Sequence, residues 1–222
     1  MIKLPDTMIV AQQRNTTALA SSILCSAACI IFAWFIHAPF PVNIIAYISL
    51  GLAAFIMSLQ LLPLTTMLSQ FYHHLVSSKM ILFNMLGLQM GIAAALYYRH
   101  TYGMFLFPAT INSFAMVAIC IAVVEEVVFR GFIQGKLQKV NAGFSVVFAS
   151  LSHAAYKATL FLTPFLAQKI NISSLFLTSL LLFLVLGLLK QYSKSIVPCI
   201  IAHVVFDVIV YAEMTTAPWW VW

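Results

Sequence analysis

The chain has 222 residues, of which 63% are hydrophobic and only 7% are charged, and its net charge is +6. Soluble domains carry about 25% charged residues, so this composition excludes a soluble globular protein and requires lipid as the solvent for much of the surface. The basic residues are scattered singly between apolar runs, which excludes a nucleic-acid-binding patch and is typical of charges that set membrane topology.

Apolar runs follow one another along the whole chain, separated by short polar turns. A transmembrane helix needs about 20 residues, so the sequence predicts an all-α, polytopic membrane helical bundle of about seven helices, with six to eight as the bounds. The segment Thr159–Ala167, after the short fifth span, is interpreted as re-entrant or interfacial. The predicted spans are 18–38, 42–68, 79–98, 109–131, 142–157, 172–190 and 195–213.

Basic residues also predict the orientation of the chain, because cytoplasmic loops carry an excess of lysine and arginine. With the N-terminus inside, seven basic residues face the cytoplasm and three face outward. We therefore predict an integral, multi-pass membrane protein with a cytoplasmic N-terminus. The inward set is Lys3, Arg14, Lys79, Lys136, Lys139, Lys190 and Lys194, and the outward set is Arg99, Lys157 and Lys169.

Acidic residues are rare, and most of them are predicted at membrane depth. The chain has five, of which Glu125, Glu126 and Asp207 fall inside or at the edge of apolar spans. An ionised side chain at that depth costs roughly 2.5–3.5 kcal/mol, which makes these three residues candidates for function. The alternative is a buried ion pair that only fixes helix packing.

The spacing around Glu125 assigns different parts to its neighbours. Glu126 and Arg130 are four residues apart and share one helical face, so they are predicted to form an ion pair. Glu125 lies about 100° away around the helix. This position leaves Glu125 as the carboxylate that can act as a general base.

Two histidines in apolar segments extend this set. His153 lies in FASLSHAAY, near the end of the fifth span, where a lone histidine more often packs or hydrogen-bonds than catalyses. His203 precedes Asp207 by four residues in AHVVFD, so these two side chains share a helical face. This second polar step raises the weight of His153 as a functional residue.

Three stretches together resemble the motifs of the CPBP intramembrane proteases, the family of the CAAX prenyl proteases and the bacterial Abi-type proteins. VVEEVVFRGFIQGKL resembles the EExxxR signature, SHAAY carries the histidine of the second motif, and SKSIVPCIIAHVVFD is similar to the last motif. The resemblance divides the chain into N-terminal helices 1–108, a catalytic core 109–213 and a tail 214–222. The tail tryptophans are interpreted as an interfacial anchor; they are Trp219, Trp220 and Trp222.

The resemblance implies an intramembrane endopeptidase that cleaves a protein or peptide in or near the bilayer. In the family's proposed mechanism, Glu125 and His153 activate a water and Arg130 holds Glu126. His203 stabilises the oxyanion of the tetrahedral intermediate. Expected partners are therefore the substrate and membrane lipids, and the bacterial relatives point to a prokaryotic cell (inner) membrane.

Two positions depart from the family's pattern. Asp207 stands where asparagine is common, and an ionised carboxylate would repel an oxyanion. We therefore expect Asp207 to orient His203 instead. Ala149 stands where the second motif usually has an aromatic residue, with Phe148 one place earlier.

The family has also been described as metal-dependent. Glu125, His153 and His203 could bind zinc with an open fourth position. Against this, the chain has no HExxH helix, and Arg130 would oppose a dication. The sequence favours a mechanism that requires no cofactor, with zinc as the alternative.

Two other classes of function stay open at this point. One is a non-catalytic membrane scaffold or bacteriocin-immunity protein of the same fold, which would not need the full set of glutamates, arginine and histidines. The other is a small cation- or proton-coupled transporter, which typically has paired broken helices or an internal repeat. The sequence has neither feature, so it favours the protease.

Overall fold

The computed structural model describes residues 6–59, 77–165 and 171–216, with the backbone alone for 6–14, and all their regular structure is helical. A π-helical segment, Val127–Gln134, joins α4 to α5, so that 113–137 form one continuous helical stretch. With this stretch counted once, the described residues form seven helices, and the predicted fold class is confirmed. The helices are α1 (Asp6–Phe35), α2 (Ile44–Ser58), α3 (Ser78–Thr101), α4 (Ser113–Glu126), α5 (Gly135–Leu137), α6 (Ala142–Leu162), α7 (Ile172–Ser193) and α8 (Val197–Tyr211).

Three of these helices are long and apolar enough to cross a membrane: Asn15–Phe35 of α1, the whole of α3, and the whole of α7. α2 and α8 are shorter apolar helices. Large apolar side chains point outward, with Ile48 66% and Leu82 69% exposed. A water-soluble protein rarely exposes such side chains in quantity, whereas lipid tails solvate them. The tail tryptophans and residues 60–68 of the predicted second span lie outside the described residues.

The helix α6 is longer than the fifth predicted span. It begins where Asn141 accepts a hydrogen bond from the Phe144 backbone N–H, 2.8 Å away, and it continues to Leu162. Lys157 does not end it, because the Lys157 ammonium lies over the Tyr156 ring, 5.8 Å from its centre. A long lysine stem can cover apolar surface in this way. The helix therefore runs five residues past the predicted end of the fifth span, and the interpretation of 159–167 as re-entrant or interfacial stays a prediction.

The described residues group into two compact units, each drawn from two separated parts of the chain. The first unit takes its residues from 1–61 and 132–184, and within it α1 packs against α2, α5 and α6. The second takes its residues from 62–131 and 185–222, and within it α8 packs against both α3 and α4. The predicted boundaries at 108/109 and 213/214 follow the motifs, and they stay a prediction.

In the first unit, α1 approaches α6 through small residues. Ser26 donates a hydrogen bond to Ser152, with 3.1 Å between the two hydroxyl oxygens. Near the other end of α1, the Thr163 hydroxyl donates to the Trp34 carbonyl over 2.8 Å. Small and hydroxyl-bearing residues allow close approach of helices in lipid, where no hydrophobic force drives them together. An N-terminal helix that carries no motif therefore supports the helix that carries His153.

In the second unit, a buried arginine joins the ends of α3 and α8. Arg99, in the last turn of α3, is fully buried. Its Nη1 donates to the Ile209 carbonyl over 3.0 Å, and its Nη2 lies 3.0 Å from Glu213 Oε2. Glu213 Oε1 accepts from the Ala109 backbone N–H over 3.0 Å. The sequence indicated only a loop charge at Arg99; its burial follows from these partners.

Candidate active site

The EExxxR motif lies where α4 changes into a π-helix. Glu125 and Glu126 are the last two residues of α4, and Arg130 follows within the π segment. Their exposed fractions are 5%, 0% and 0%. π-Helical turns are rare and often occur at functional sites. The segment that the sequence singled out by its charge is thus also exceptional in its backbone.

Glu126 contacts a cation with one oxygen and a histidine with the other. Its Oε2 lies 3.5 Å from Arg130 Nε, which is the ion pair predicted from the spacing. Its Oε1 lies 2.9 Å from Nδ1 of His203. Because an ionised carboxylate can only accept hydrogen bonds, Nδ1 carries the proton and donates it. Glu126 therefore fixes the plane of the His203 ring.

The other nitrogen of His203 faces two more carboxylates. Nε2 lies 3.7 Å from Glu125 Oε2 and 3.9 Å from Asp207 Oδ2. Both distances exceed those of a direct hydrogen bond, so Asp207, which was expected to orient the ring, is not its closest partner. The sequence predicted that Glu125 and Glu126 point to different sides of the helix. They do differ, but both reach the same imidazole, at opposite nitrogens.

A tight turn sets where α8 begins and so where His203 lies. Lys194 adopts a left-handed conformation, with φ of 62°, and Ser195 Oγ accepts a hydrogen bond from the Val197 backbone N–H over 3.2 Å. Pro198 is in the first turn of α8, where its missing N–H has no helical partner to lose. The Cys199 thiol then donates to the Leu186 carbonyl of α7 over 3.2 Å. These contacts hold the α8 backbone one turn before His203.

His153 belongs to the first unit and is fully buried in α6. Its ring stacks on Phe183, with 3.6 Å between the ring centres and 4° between the ring planes. Ser150, one turn earlier in α6, donates to the Phe183 carbonyl over 2.9 Å, which ties this part of α7 to α6. The His153 ring is therefore held in one plane. Its role in activating water stays a prediction.

Residues 106–209 match the model of a protein family described as Type II CAAX prenyl endopeptidase Rce1-like. All six predicted site residues, from Glu125 to Asp207, lie inside this match.

Residues 106–209 form a CAAX prenyl endopeptidase family domain. CAAX prenyl endopeptidases are proteases, so the predicted class of enzyme, a CPBP-type intramembrane protease, is confirmed at the level of the family. The resemblance stated from the three motifs is confirmed in the same way. Comparison with curated proteins and with solved structures gives no match.

A metal site was the alternative raised by this family. Among the residues that the structure describes, no group of three or more His, Cys, Asp or Glu side chains is arranged to hold a metal ion. Glu126 already occupies Nδ1 of His203, and Arg130 adds a fixed positive charge beside it. Nε2, which faces Glu125 and Asp207, is the ring nitrogen that could ligate a metal, so the mechanism without a cofactor and the zinc alternative both stay predictions.

Proposed function

We propose that this protein is an intramembrane endopeptidase that hydrolyses a peptide bond of a membrane-associated protein or peptide. One observation supports this function above all. His203 donates to Glu126 through Nδ1 and faces Glu125 with Nε2, in a buried group within a CAAX endopeptidase domain. A membrane protein with only five acidic residues has two of them on one imidazole, at a high cost in solvation. Chemistry that needs both carboxylates accounts for that cost.

Glu125 is the proposed general base. It belongs to the EExxxR motif, it is buried, and its Oε2 lies 3.7 Å from Nε2 of His203, the ring nitrogen opposite the one that Glu126 contacts. A carboxylate there can take a proton from a water molecule as that water attacks the substrate carbonyl. The proton then passes to the leaving amine, so that one peptide bond and one water give a carboxylate and an amine. His153 is proposed, from the family's second motif, to bind this water.

His203 is the proposed oxyanion donor. Glu126 fixes its ring through Nδ1, which leaves Nε2 as the atom directed toward Glu125. A protonated imidazole donates from both nitrogens, and Asp207, 3.9 Å from Nε2, stabilises that positive charge. A donor held in place before the reaction is worth about 10²–10³-fold in kcat. Asp207 would thus act on the charge of His203 rather than on its orientation.

The reaction as proposed uses side chains and water alone. We expect full activity after exhaustive chelation, and no stoichiometric zinc by elemental analysis of the purified protein. Activity that is lost on chelation and restored by zinc would instead support a metalloprotease with Glu125, His153 and His203 as ligands.

The substrate can be found by comparing the peptides of membranes from cells with and without the gene. A peptide that accumulates as a fragment only when the gene is present is then offered to the protein purified in detergent. We expect cleavage at the same bond. A non-catalytic scaffold, an immunity protein or a transporter of this fold would leave the peptide intact.

The proposed location is a prokaryotic cell (inner) membrane, with the N-terminus in the cytoplasm. Seven spans place the two termini on opposite sides. A reporter that is active only in the cytoplasm should therefore report when fused before Met1 and stay silent when fused after Trp222. The reverse result would overturn the orientation.

A further inference from the structure

The helices α3 and α8 touch backbone to backbone at two glycines. A Cβ atom added to Gly87 would lie 2.3 Å from the Pro198 carbonyl oxygen, and one added to Gly91 would lie 2.4 Å from that of Ala202. Real Cβ atoms essentially never approach another atom within 3.0 Å. The present spacing of α3 and α8 therefore exists only because both positions are glycine.

The same face of α3 continues to the far end of α8. Ala95 and Arg99, four and eight residues beyond Gly91, are fully buried, and Arg99 donates to the Ile209 carbonyl in the last turn of α8. The two helices are thus joined from Pro198 to Ile209. Because Arg99 holds α3 to the last turn of α8, a larger residue at Gly87 or Gly91 cannot be accommodated by moving the whole of α3 away from α8.

The contact lies next to the candidate catalytic group. Ala202, which faces Gly91, directly precedes His203 in α8. The helix α8 also packs against α4, which carries Glu125 and Glu126. A displacement of α8 away from α3 would therefore change the distances from His203 to Glu125 and Glu126.

We infer that Gly87 and Gly91 are positioning residues, which set the distance of His203 from Glu125 and Glu126 by setting the distance of α8 from α3. The part of this inference that concerns catalysis rests on the proposed protease function. Neither glycine belongs to the motifs, and both lie in α3, outside the matched domain. They act through the backbone of α8 and contact no reacting atom.

The size of the effect follows from the distances. Ordinary van der Waals contact begins at 3.4 Å, so a Cβ at Gly91 requires a shift of about 1 Å from its 2.4 Å position. The hydrogen bond from His203 Nδ1 to Glu126 is 2.9 Å long, and an added 1 Å would take it beyond hydrogen-bonding distance. A misplacement of about 1 Å can lower a rate by about 100-fold.

The test compares Gly91→Ala with Gly51→Ala. Gly51 lies in the apolar helix α2, and a Cβ there would meet nothing within 4 Å. The nitrogen resonances of His203 are measured in detergent with ¹⁵N-labelled histidine and are assigned by their loss in His203→Gln; kcat and KM are measured on the cleaved peptide. We expect Gly91→Ala to shift the Nδ1 resonance and to lower kcat about 10- to 100-fold, with KM unchanged. Gly51→Ala should change neither.

An unchanged His203 resonance in Gly91→Ala overturns the inference, even if activity is lost, because the loss then comes from general destabilisation. If the wild-type protein cleaves no peptide, the proposed function fails while the resonance still tests the contact. Should Gly91→Ala not fold, Gly87→Ala gives the same test. Its contact, Pro198, lies five residues before His203, so the expected shift is smaller; no shift in that variant overturns the inference.

Discussion

Glu126 is the residue on which the geometry of the site depends. It pairs with Arg130 through one oxygen and accepts from His203 through the other, and it is fully buried, as is Arg130. A buried charge that loses its partner is left without solvation. Glu126 therefore has two roles, pairing with Arg130 and orienting His203, which substitutions can separate.

We predict that Glu126→Gln lowers the free energy of unfolding by about 3–5 kcal/mol, because it removes the carboxylate charge that lies 3.5 Å from the buried Arg130 guanidinium. Replacing the whole pair, as in Glu126→Gln with Arg130→Met, should recover most of that loss. Unfolding by denaturant in detergent micelles measures both. A double variant no more stable than the single one would contradict the ion pair.

Asp207 gives the opposite expectation. It lies 3.9 Å from His203 Nε2, whereas the hydrogen bond of the ring runs from Nδ1 to Glu126. Asparagine is common at this position in the family that the motifs resemble. We predict that Asp207→Asn keeps kcat within about tenfold of wild type, since one such electrostatic contact is small beside an oxyanion donor. A loss in kcat of about 100-fold or more, the size expected for an oxyanion donor, would mean that Asp207 orients His203 after all.

The sequence predicts where the helices lie better than it predicts how they are wound and packed. Apolar length alone located α3, α7 and α8 within three residues at each end, because lipid imposes that length on any span. It could not reveal the π segment after Glu126, since a four-residue spacing looks alike in α- and π-helical windings. Nor could it reveal that Glu125 and Glu126 meet one ring, which depends on where α8 packs. The fifth span was likewise predicted to end at Lys157, because the sequence does not show that the Lys157 ammonium lies over the Tyr156 ring.

The junction of α3, α8 and the loop before α4 is predicted to depend on pH. Hydrogen bonds from the Ala109 backbone N–H and from Arg99 lower the pKa of Glu213 below its ordinary value of 4.5. Because this pKa is lower in the folded state, the contact stabilises the fold above the unfolded-state pKa and is lost as pH falls through the folded-state pKa. Thermal unfolding should thus show wild type losing stability below about pH 4.5, and Glu213→Gln losing less. Parallel curves for the two proteins would contradict this.

The packing of α1 on its unit is tested by two adjacent alanines. Ala28 is 2% exposed, whereas Ala27 faces outward. We predict that Ala28→Leu lowers the free energy of unfolding by about 1–3 kcal/mol through overpacking. Ala27→Leu, with the same added volume, should have little effect. Equal effects would mean that α1 does not pack through its small residues.

At the scale of the whole molecule, the helices without motifs support those with motifs. In the first unit α1 packs on α6, which carries His153, and in the second unit α3 packs on α8, which carries His203. The sequence could not show this division of labour. Serine, alanine and glycine in an apolar run read alike whether they face lipid or a neighbouring helix. The sequence therefore indicated the functional candidates only where a charged or polar side chain would be costly in lipid.

The central claim is that Glu125 activates the hydrolytic water. The most direct measurement is the kcat of Glu125→Gln on the peptide that wild type cleaves, with the His203 resonances showing that the site is intact. A general base contributes about 10²–10⁴-fold, so we predict a loss of that size with the resonances of His203 still those of a ring bonded to Glu126. Activity of Glu125→Gln within tenfold of wild type would contradict the account.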